Sequence, residues 1–484
     1  MSRINTNVTA LIGSRILTDN TVGLNKSLER LSTGLRINRG ADDPAGLIAS
    51  ENLRKQIKGT ETAIKNAERA NNIIGTAEGG LSEISNMLVE LQGLLGEVAN
   101  TGGMSSDEID ANQLQVDSIL NSIDRISNAT EFEGMKLLNG SKAYTTSAVS
   151  STYIAELTVN AAKLIDGATM QVDVARTSAA DTGKAFLSGA NLSTAAMTIQ
   201  IGSGRGTTEL TFAAATTRAN VQTSINAVRE VTGISAYTSA GAIVLRSIDF
   251  GSDSYVSVEI LSGQDDGTND TFVLNDDNTN NESSVKDYGV DVRATVNGTS
   301  ATGEGKKLTI RTSMLDAEIE LEGTPALSGT DWSTTYGITA GGADFALGAL
   351  VDAIGLESIG IQNVATTALG DPTNGYLNTL KSGGTNSMSS TNLYTAQEIV
   401  SSAIKDISKM RGRLGSFQKN TLETTINSLK ITNENLYSAE SAIRDTDFAT
   451  ETSNMTRAQI LVQSATSVLA QANFSPQNVL SLLG

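Results

Sequence analysis

Residues of the types that do chemistry are few in this chain, and their spacing fits no reaction. The 484 residues include no cysteine and no histidine. Thiolate and imidazole metal ligands, disulfides, and Ser-His-Asp or Cys-His pairs are therefore all missing. Catalysis would have to run on carboxylates, lysine or tyrosine, and the scattered acidic pairs mark no cleft. The glycine-rich run Ile201-Gly-Ser-Gly-Arg-Gly206 has the look of a phosphate loop. It lacks the Gly-Lys-Ser/Thr ending, and Thr208-Glu-Leu-Thr-Phe212 after it reads as strand, so a hairpin turn is expected. Residues 265–270 and 275–282 are acidic enough for calcium but lack the EF-hand spacing, so they read as solvated loops. Sequons at Asn128, Asn281 and Asn297 matter only where a glycosylation system is present. The expectation is no enzyme, no cofactor and no metal site.

The elements that would have to position a site point elsewhere. Net charge is −18, which makes nucleic acid and anionic membranes poor partners. Residues 1–70 run the other way, with 11 Lys/Arg against 7 Asp/Glu. No cleavable signal pattern opens the chain, so the protein is expected in the cytosol or exported by a route that reads no such signal.

The last 35 residues carry two charged side chains, Glu451 and Arg457. Thr452, Met455, Gln459, Val462, Thr466, Leu469 and Asn473 form one helical stripe, while Ile460, Leu461 and Val468 lie off it. A helix apolar on several sides needs several neighbours. Its Gln, Ser, Thr and Asn content argues against a lipid span. Full burial stabilises a large apolar side chain by roughly 1.5–3 kcal/mol, against about 1–2 kcal/mol to order each residue. The tail alone is therefore expected to be marginal or disordered.

Residues 4–35 repeat this character with Ile4, Val8 and Leu11, then Leu24, Leu28, Leu31 and Leu35. Gly40-Ala-Asp-Asp-Pro-Ala-Gly46 breaks the helix, and Asp42 or Asp43 can cap the next one. From Ser50 to Asn100 the spacing predicts a helix of about 75 Å. Its seam runs through Ile57, Ile64, Ala67, Asn71 and Ile74, then Leu81, Ile84, Leu88, Leu91, Leu95 and Val98, with a phase slip near Gly75–Gly80. A glycine turn at 101–103 leads to a helix capped by Ser105 or Ser106, and a short β-hairpin follows at 132–140. From about Ala143 the period changes to 2 and strands are expected, with one helix over Ala219–Val231. From Leu393 the helical spacing returns through Ile407, Met410 and Leu414. After a one-residue slip beyond Phe417 it continues through Leu422, Ile426, Leu429, Asn433, Leu436, Glu440 and Ile443, as one helix of about 80 Å. The fold class is α+β: a long antiparallel α-helical coiled bundle made from both chain termini, with a central, mainly-β insertion projecting outward.

The chain ends resemble bacterial flagellin. The resemblance rests on Ser2-Arg-Ile-Asn-Thr-Asn7, Ser27-Leu-Glu-Arg-Leu-Ser-Thr-Gly-Leu-Arg-Ile-Asn38 and Ala41-Asp-Asp-Pro-Ala-Gly-Leu47. At the other end it rests on Ile443-Arg-Asp-Thr-Asp-Phe-Ala449, Asn454-Met-Thr-Arg457, Val468-Leu-Ala-Gln-Ala-Asn473 and Val479-Leu-Ser-Leu-Leu483. It covers about residues 1–140 and 390–484.

The resemblance implies a structural subunit that self-assembles helically into the flagellar filament for motility, secreted by type III export. A hook-filament junction protein is the nearest alternative. Implied partners are copies of the chain, an export chaperone on the C-terminal segment, and the cap and hook-junction proteins. Residues 1–45 and 448–484 are expected as inner-tube helices, disordered in the monomer. Residues 46–142 and 388–447 would form a helical rod, and 143–387 a surface insertion in two subdomains. Inner-tube packing is expected from Leu28, Leu31, Leu35, Met455, Val462, Leu469, Leu480 and Leu483. The outer-tube bundle is expected from Leu88, Leu91, Leu95, Ile407, Met410 and Leu414. Flagellins sensed by the Toll-like innate receptor carry an Arg, a following Leu and a Glu on the next helix. Here those positions are matched by Glu90, Leu94 and Gln115, so weak receptor activation is expected.

Overall fold

The computed structural model describes residues 6–100, 103–164, 168–188, 196–239, 241–263, 273–275, 283–322, 331–350, 352, 354–388 and 393–480. The architecture is α+β. Helices α1 (Val8–Thr33), α2 (Pro44–Val98) and α3 (Ser106–Ala129) open the chain. Short helices α4 (Arg218–Ala227) and α5 (Arg229–Thr232) lie in the insertion, and α6 (Leu393–Ser416), α7 (Thr424–Arg444) and α8 (Phe448–Leu480) close it. The chain forms two compact units. One holds residues up to 72, 346–356 and from 416 onward; the other holds 73–345 and 357–415.

The helix ends follow local chemistry. Asn7 accepts the Ala10 amide at 3.0 Å and caps α1. Gly34, at φ 73°, ends it in the left-handed region that costs glycine nothing. Asp43 accepts the Gly46 amide at 2.9 Å, with Pro44 at the first helical position of α2. Ser105 and Glu108 form a reciprocal capping box on α3.

In the first unit, α7 runs antiparallel to the first half of α2. Thr60 donates to Asn433 at 2.9 Å, Tyr437 donates to Glu61 at 2.6 Å, and Arg444 meets Glu51 at 3.4 Å. The half-buried face of α7 is the expected one, Ile426, Leu429, Asn433, Leu436, Glu440 and Ile443.

Two expectations about the long helices are corrected. α2 is one unbroken 55-residue helix, about 82 Å long. Its seam passes through Ile57, Thr60, Ala63, Ala67, Ala70, Ile74, Ala77, Leu81 and Ile84 with no slip. Ile64 and Asn71 stand beside that seam, half-buried. Small Thr and Ala residues hold the inner positions, and Gly80 is there for close packing: a Cβ on it would lie 2.8 Å from Leu138 and Thr130. The helix after Leu393 is not one uninterrupted α-helix. Phe417–Glu423 is π-helical, and the wider turn takes up one extra residue. That is the physical form of the one-residue slip.

In the second unit the C-terminal half of α2, α3 and α6 all present fully buried faces. Arg411 on α6 pairs with Glu78 on α2 at 3.2 Å. The hairpin β1 (Glu131–Phe132) and β2 (Met135–Lys136) follows α3. α3 is fastened to the segment before α6: Gln113 donates to the Leu380 carbonyl at 2.9 Å and accepts the Met388 amide at 2.8 Å.

The insertion holds two hydrophobic cores, one nested in the sequence of the other. Chain order gives β3 (Thr145–Ser147), β4 (Ile154–Ala162), β5 (Met170–Ser178), β6 (Lys184–Ser188), β7 (Met197–Gly202) and β8 (Thr207–Phe212). After α4 and α5 come β9 (Ile234–Ser239), β10 (Ala242–Ser247), β11 (Tyr255–Ser262), β12 (Val273–Asn275) and β13 (Ser284–Tyr288). Then follow β14 (Arg293–Val296), β15 (Thr299–Ser300), β16 (Thr302–Glu304), β17 (Lys307–Arg311), β18 (Leu315–Leu321) and β19 (Trp332–Ala340). The nested core packs sheets β12-β6-β10-β9 and β13-β11-β7-β8 with α4. The enclosing core packs β15-β14-β5-β19-β3 against β16-β17-β18-β4. Asn297 and Gly298, both at positive φ, make the turn between β14 and β15.

Candidate self-assembly surface

α1 and α8 pair antiparallel. Asn7 donates to the Ala472 carbonyl at 2.8 Å near one end, and Arg30 meets Glu451 at 3.5 Å near the other. At Gly13 the helices come close, since a Cβ there would lie 3.4 Å from Leu469. The covered face of α1 is Gly13, Leu17, Leu24, Ser27 and Leu31. That of α8 is Met455, Ala458, Val462, Ala465, Leu469 and Ala472.

Met455, Val462 and Leu469 therefore lie on the seam as the sequence predicts, but their alternating partners differ. Thr452, Gln459, Thr466 and Asn473 are exposed, and Ala458, Ala465 and Ala472 take the covered positions. Alanine lets two backbones approach where a larger side chain would hold them apart. The exposed threonine Thr466 returns its hydroxyl to its own helix, at the Val462 carbonyl, 2.8 Å away.

Outside the covered faces, both helices leave large apolar side chains bare. Val8, Leu11, Ile12, Ile16, Val22 and Leu28 on α1, and Phe448, Ile460, Leu461, Val468 and Phe474 on α8, are all exposed. Leu11 is 63% exposed and Val468 59%. Completing the burial of such side chains contributes on the order of 1 kcal/mol each. Eleven of them supply a driving force comparable to the roughly 4–15 kcal/mol cost of association. Isolated exposed apolar residues are ordinary, whereas a contiguous strip marks a contact surface.

Polar groups fix the hairpin's closed end. Arg36 N–H donates to the Arg444 carbonyl at 2.7 Å, and Thr446 N–H to the Gly34 carbonyl at 2.9 Å. Asp447 accepts the Ala449 and Thr450 amides, and the bonds from Thr450 first of all hold its carboxyl below the usual range. Lys26 pairs with Asp42 at 2.8 Å, and that bond, with the Arg39 amide, lowers the Asp42 pKa to about 2. The Glu451 carboxylate is almost wholly buried against Arg30.

Of the other expected residues, Leu31 and Leu35 are half-buried and Leu28 faces outward. Leu480 lies within α8 but its side chain is outside the described residues, as are Leu483, 265–270 and Asn281. Leu88, Leu91, Leu95, Ile407, Met410 and Leu414 are all buried in the second unit. Glu90 and Gln115 are exposed, whereas Leu94 is only 9% exposed and faces the core. The surface there is formed by Val89 and Leu114 beside those two polar residues. The Gly-rich run at 201–206 is a hairpin turn, with Ser203 N–H donating to the Gly206 carbonyl at 3.1 Å. Sequence reasoning missed Gly13, Ala458, Ala465 and the Arg30–Glu451 pair. The signal for the alanines was the heptad of small residues, Ala458, Ala465 and Ala472, interleaved with Met455, Val462 and Leu469. Among the described residues no helix is long and apolar enough to cross a membrane.

Residues 4–143 match the family profile of the bacterial flagellin N-terminal helical region, and residues 397–483 match that of the C-terminal helical region. Flagellin B of Vibrio cholerae is 30% identical over 483 residues, which is 99% of each chain. The chain belongs to the bacterial flagellin family. The flagellin of Salmonella choleraesuis is 29% identical over 528 residues, again 99% of each chain. Among solved structures, FliC of Burkholderia pseudomallei aligns at 15% identity over 72% of this chain and 98% of that one. Its TM-score of 0.24 is too low to carry an argument. As a flagellin, the chain is a structural subunit of the flagellar filament, and the junction-protein alternative is not favoured.

Proposed function

We propose that the α1–α8 hairpin is the polymerisation element. The observation that carries this is the second, uncovered apolar face on both of its helices. Copies of the same chain cover that face, in heterologous contacts that repeat without closing. Residues 1–45 and 448–484 then form the inner tube, through Leu28, Leu31, Leu35, Met455, Val462, Leu469, Leu480 and Leu483. Residues 46–142 and 388–447 form the outer bundle, and 143–387 the surface insertion. In the free monomer the terminal segments are disordered and fold as they pack, so ordering and assembly share one free-energy change. An unfolded end suits export through the flagellar type III channel, and a chaperone covers α8 beforehand. Cap and hook-junction proteins meet the polymer at its ends. The protein does no catalysis, and Glu90 with Gln115 weakens recognition by the innate receptor.

Val468→Asp tests the proposal. Val468 is uncovered in the single chain, so the variant keeps the monomer's melting temperature and circular dichroism while electron microscopy finds no filaments. Val462→Asp, on the covered seam, gives the same loss of filaments. Normal filaments from Val468→Asp would sink the assignment.

A further inference from the structure

The insertion carries a feature that polymerisation does not use. Between its two cores lies a cavity of about 860 Å³, within the range of roughly 300–1,000 Å³ typical of ligand sites. Arg176, Lys184, Arg229, Arg246 and Lys306 line it, against the carboxylates of Asp181 and Glu322. A cationic cleft in a chain of net charge −18 runs against the prevailing charge. A concave, low-dielectric wall focuses the resulting field on an incoming anion.

The cations differ in how far they are committed. Asp181 lies 2.6 Å from Lys184 and Glu320 lies 3.3 Å from Lys306, so those two are largely neutralised. Arg229 meets its neighbour Glu230 at the long distance of 4.0 Å, and both are exposed to water, where such a pair is weak. Arg246 sits over the Tyr237 ring at 5.4 Å, and Lys306 sits over Phe250 at 5.6 Å. A guanidinium stacked on a ring still has its N–H edge to donate in the ring plane. The cleft thus offers charged donor edges beside partly exposed aromatic side chains, with Ser235 also in its lining.

We propose that this cleft binds an acidic oligosaccharide, one carrying carboxylate or sulfate groups on successive sugars. Acid groups meet the Arg229 and Arg246 edges while apolar C–H faces of the sugar rings lie on the sides of Tyr237 and Phe250 that Arg246 and Lys306 leave uncovered. An inorganic anion can meet an arginine but has no apolar face to lay on a ring. A nucleic acid strand would carry its phosphates past the cleft into the field of an acidic protein. On a filament the site recurs on every subunit, and weak sites acting together gain avidity. That consequence rests on the assembly reading; the site itself does not.

Calorimetry on the full-length monomer tests this independently of filament formation. The probes are a sulfated heparin tetrasaccharide, tetragalacturonate, neutral maltotetraose, inorganic sulfate and a thymidine tetranucleotide. One of the acidic tetrasaccharides binds one to one with a sub-millimolar Kd, and which one does so separates sulfate from carboxylate recognition. Maltotetraose, sulfate and the tetranucleotide bind at least about tenfold more weakly, a difference of ~1.4 kcal/mol. Arg229→Glu with Arg246→Glu removes the binding, Tyr237→Ala weakens it, and neither changes the melting temperature. No binding of either acidic tetrasaccharide would overturn the proposal. So would equal binding of sulfate or the tetranucleotide, or unchanged binding by the well-folded double variant.

Discussion

The α1–α8 hairpin and the helices of the second unit use the same pattern, apolar residues alternating at three and four, and reach different ends. Leu81, Ile84, Leu88 and Leu91 are fully buried by their own chain. On α8 the stripe of Met455, Val462 and Leu469 is half-buried, and Ile460, Leu461 and Val468 are bare. The difference lies in the number of neighbours. α8 has one helix beside it, and apolar residues on more than one side. A pattern satisfied within the chain is buried by it; the same pattern left half-satisfied is what we propose as the contact surface.

Substitutions on the two sides separate these roles. Leu88→Ala opens a cavity in a fully buried position and costs the monomer roughly 2–5 kcal/mol, read as a fall in melting temperature. Ala465→Leu overpacks the α1–α8 seam by about 1–3 kcal/mol and raises the critical concentration for polymerisation. Leu28→Ala, at an exposed site, changes monomer stability by less than ~0.5 kcal/mol and still raises the critical concentration. An equal loss of monomer stability from Leu28→Ala and Leu88→Ala would erase the distinction.

A separate effect concerns pH. Burial pushes the Asp406 pKa up to about 6, with Glu156 and Asp371 adding to the shift and Lys409 and Lys307 opposing it. Because the folded value lies above the unfolded one, the folded state holds the proton more tightly. Stability from this group is present below the unfolded pKa and is lost as pH rises through about 6. Asp406→Asn therefore raises the melting temperature at pH 8 and leaves it unchanged at about pH 3, below the unfolded carboxyl's pKa of 3.8. An equal gain at about pH 3 would contradict the burial argument.

Helix existence and the slip near Phe417 were legible in the sequence because periodicity reports which face is covered. The seam's exact members were not, since apolar counting favours Ile64 and overlooks Thr60, Ala63 and Ala70. Close packing selects small residues, and that depends on the distance to a neighbour the sequence does not show. Glycines at 75, 79 and 80 looked like a phase slip, although only Gly80 is crowded. In the insertion, alternation located β14, β17 and β18. It could not pair β18 with β4 or β19 with β5, because those registers join segments more than a hundred residues apart. The uncovered side of α8 was anticipated from Ile460, Leu461 and Val468 lying off its main stripe and from its scarcity of charge, while the Arg30–Glu451 pair was invisible until the helices lay side by side.

The most direct test is an electron cryo-microscopy map of filaments grown from the purified chain. The account predicts that Leu11, Ile16, Ile460 and Val468 are buried against neighbouring copies of α1 and α8. A filament in which those side chains stay solvent-exposed, with subunits joined through the β insertion, would contradict it.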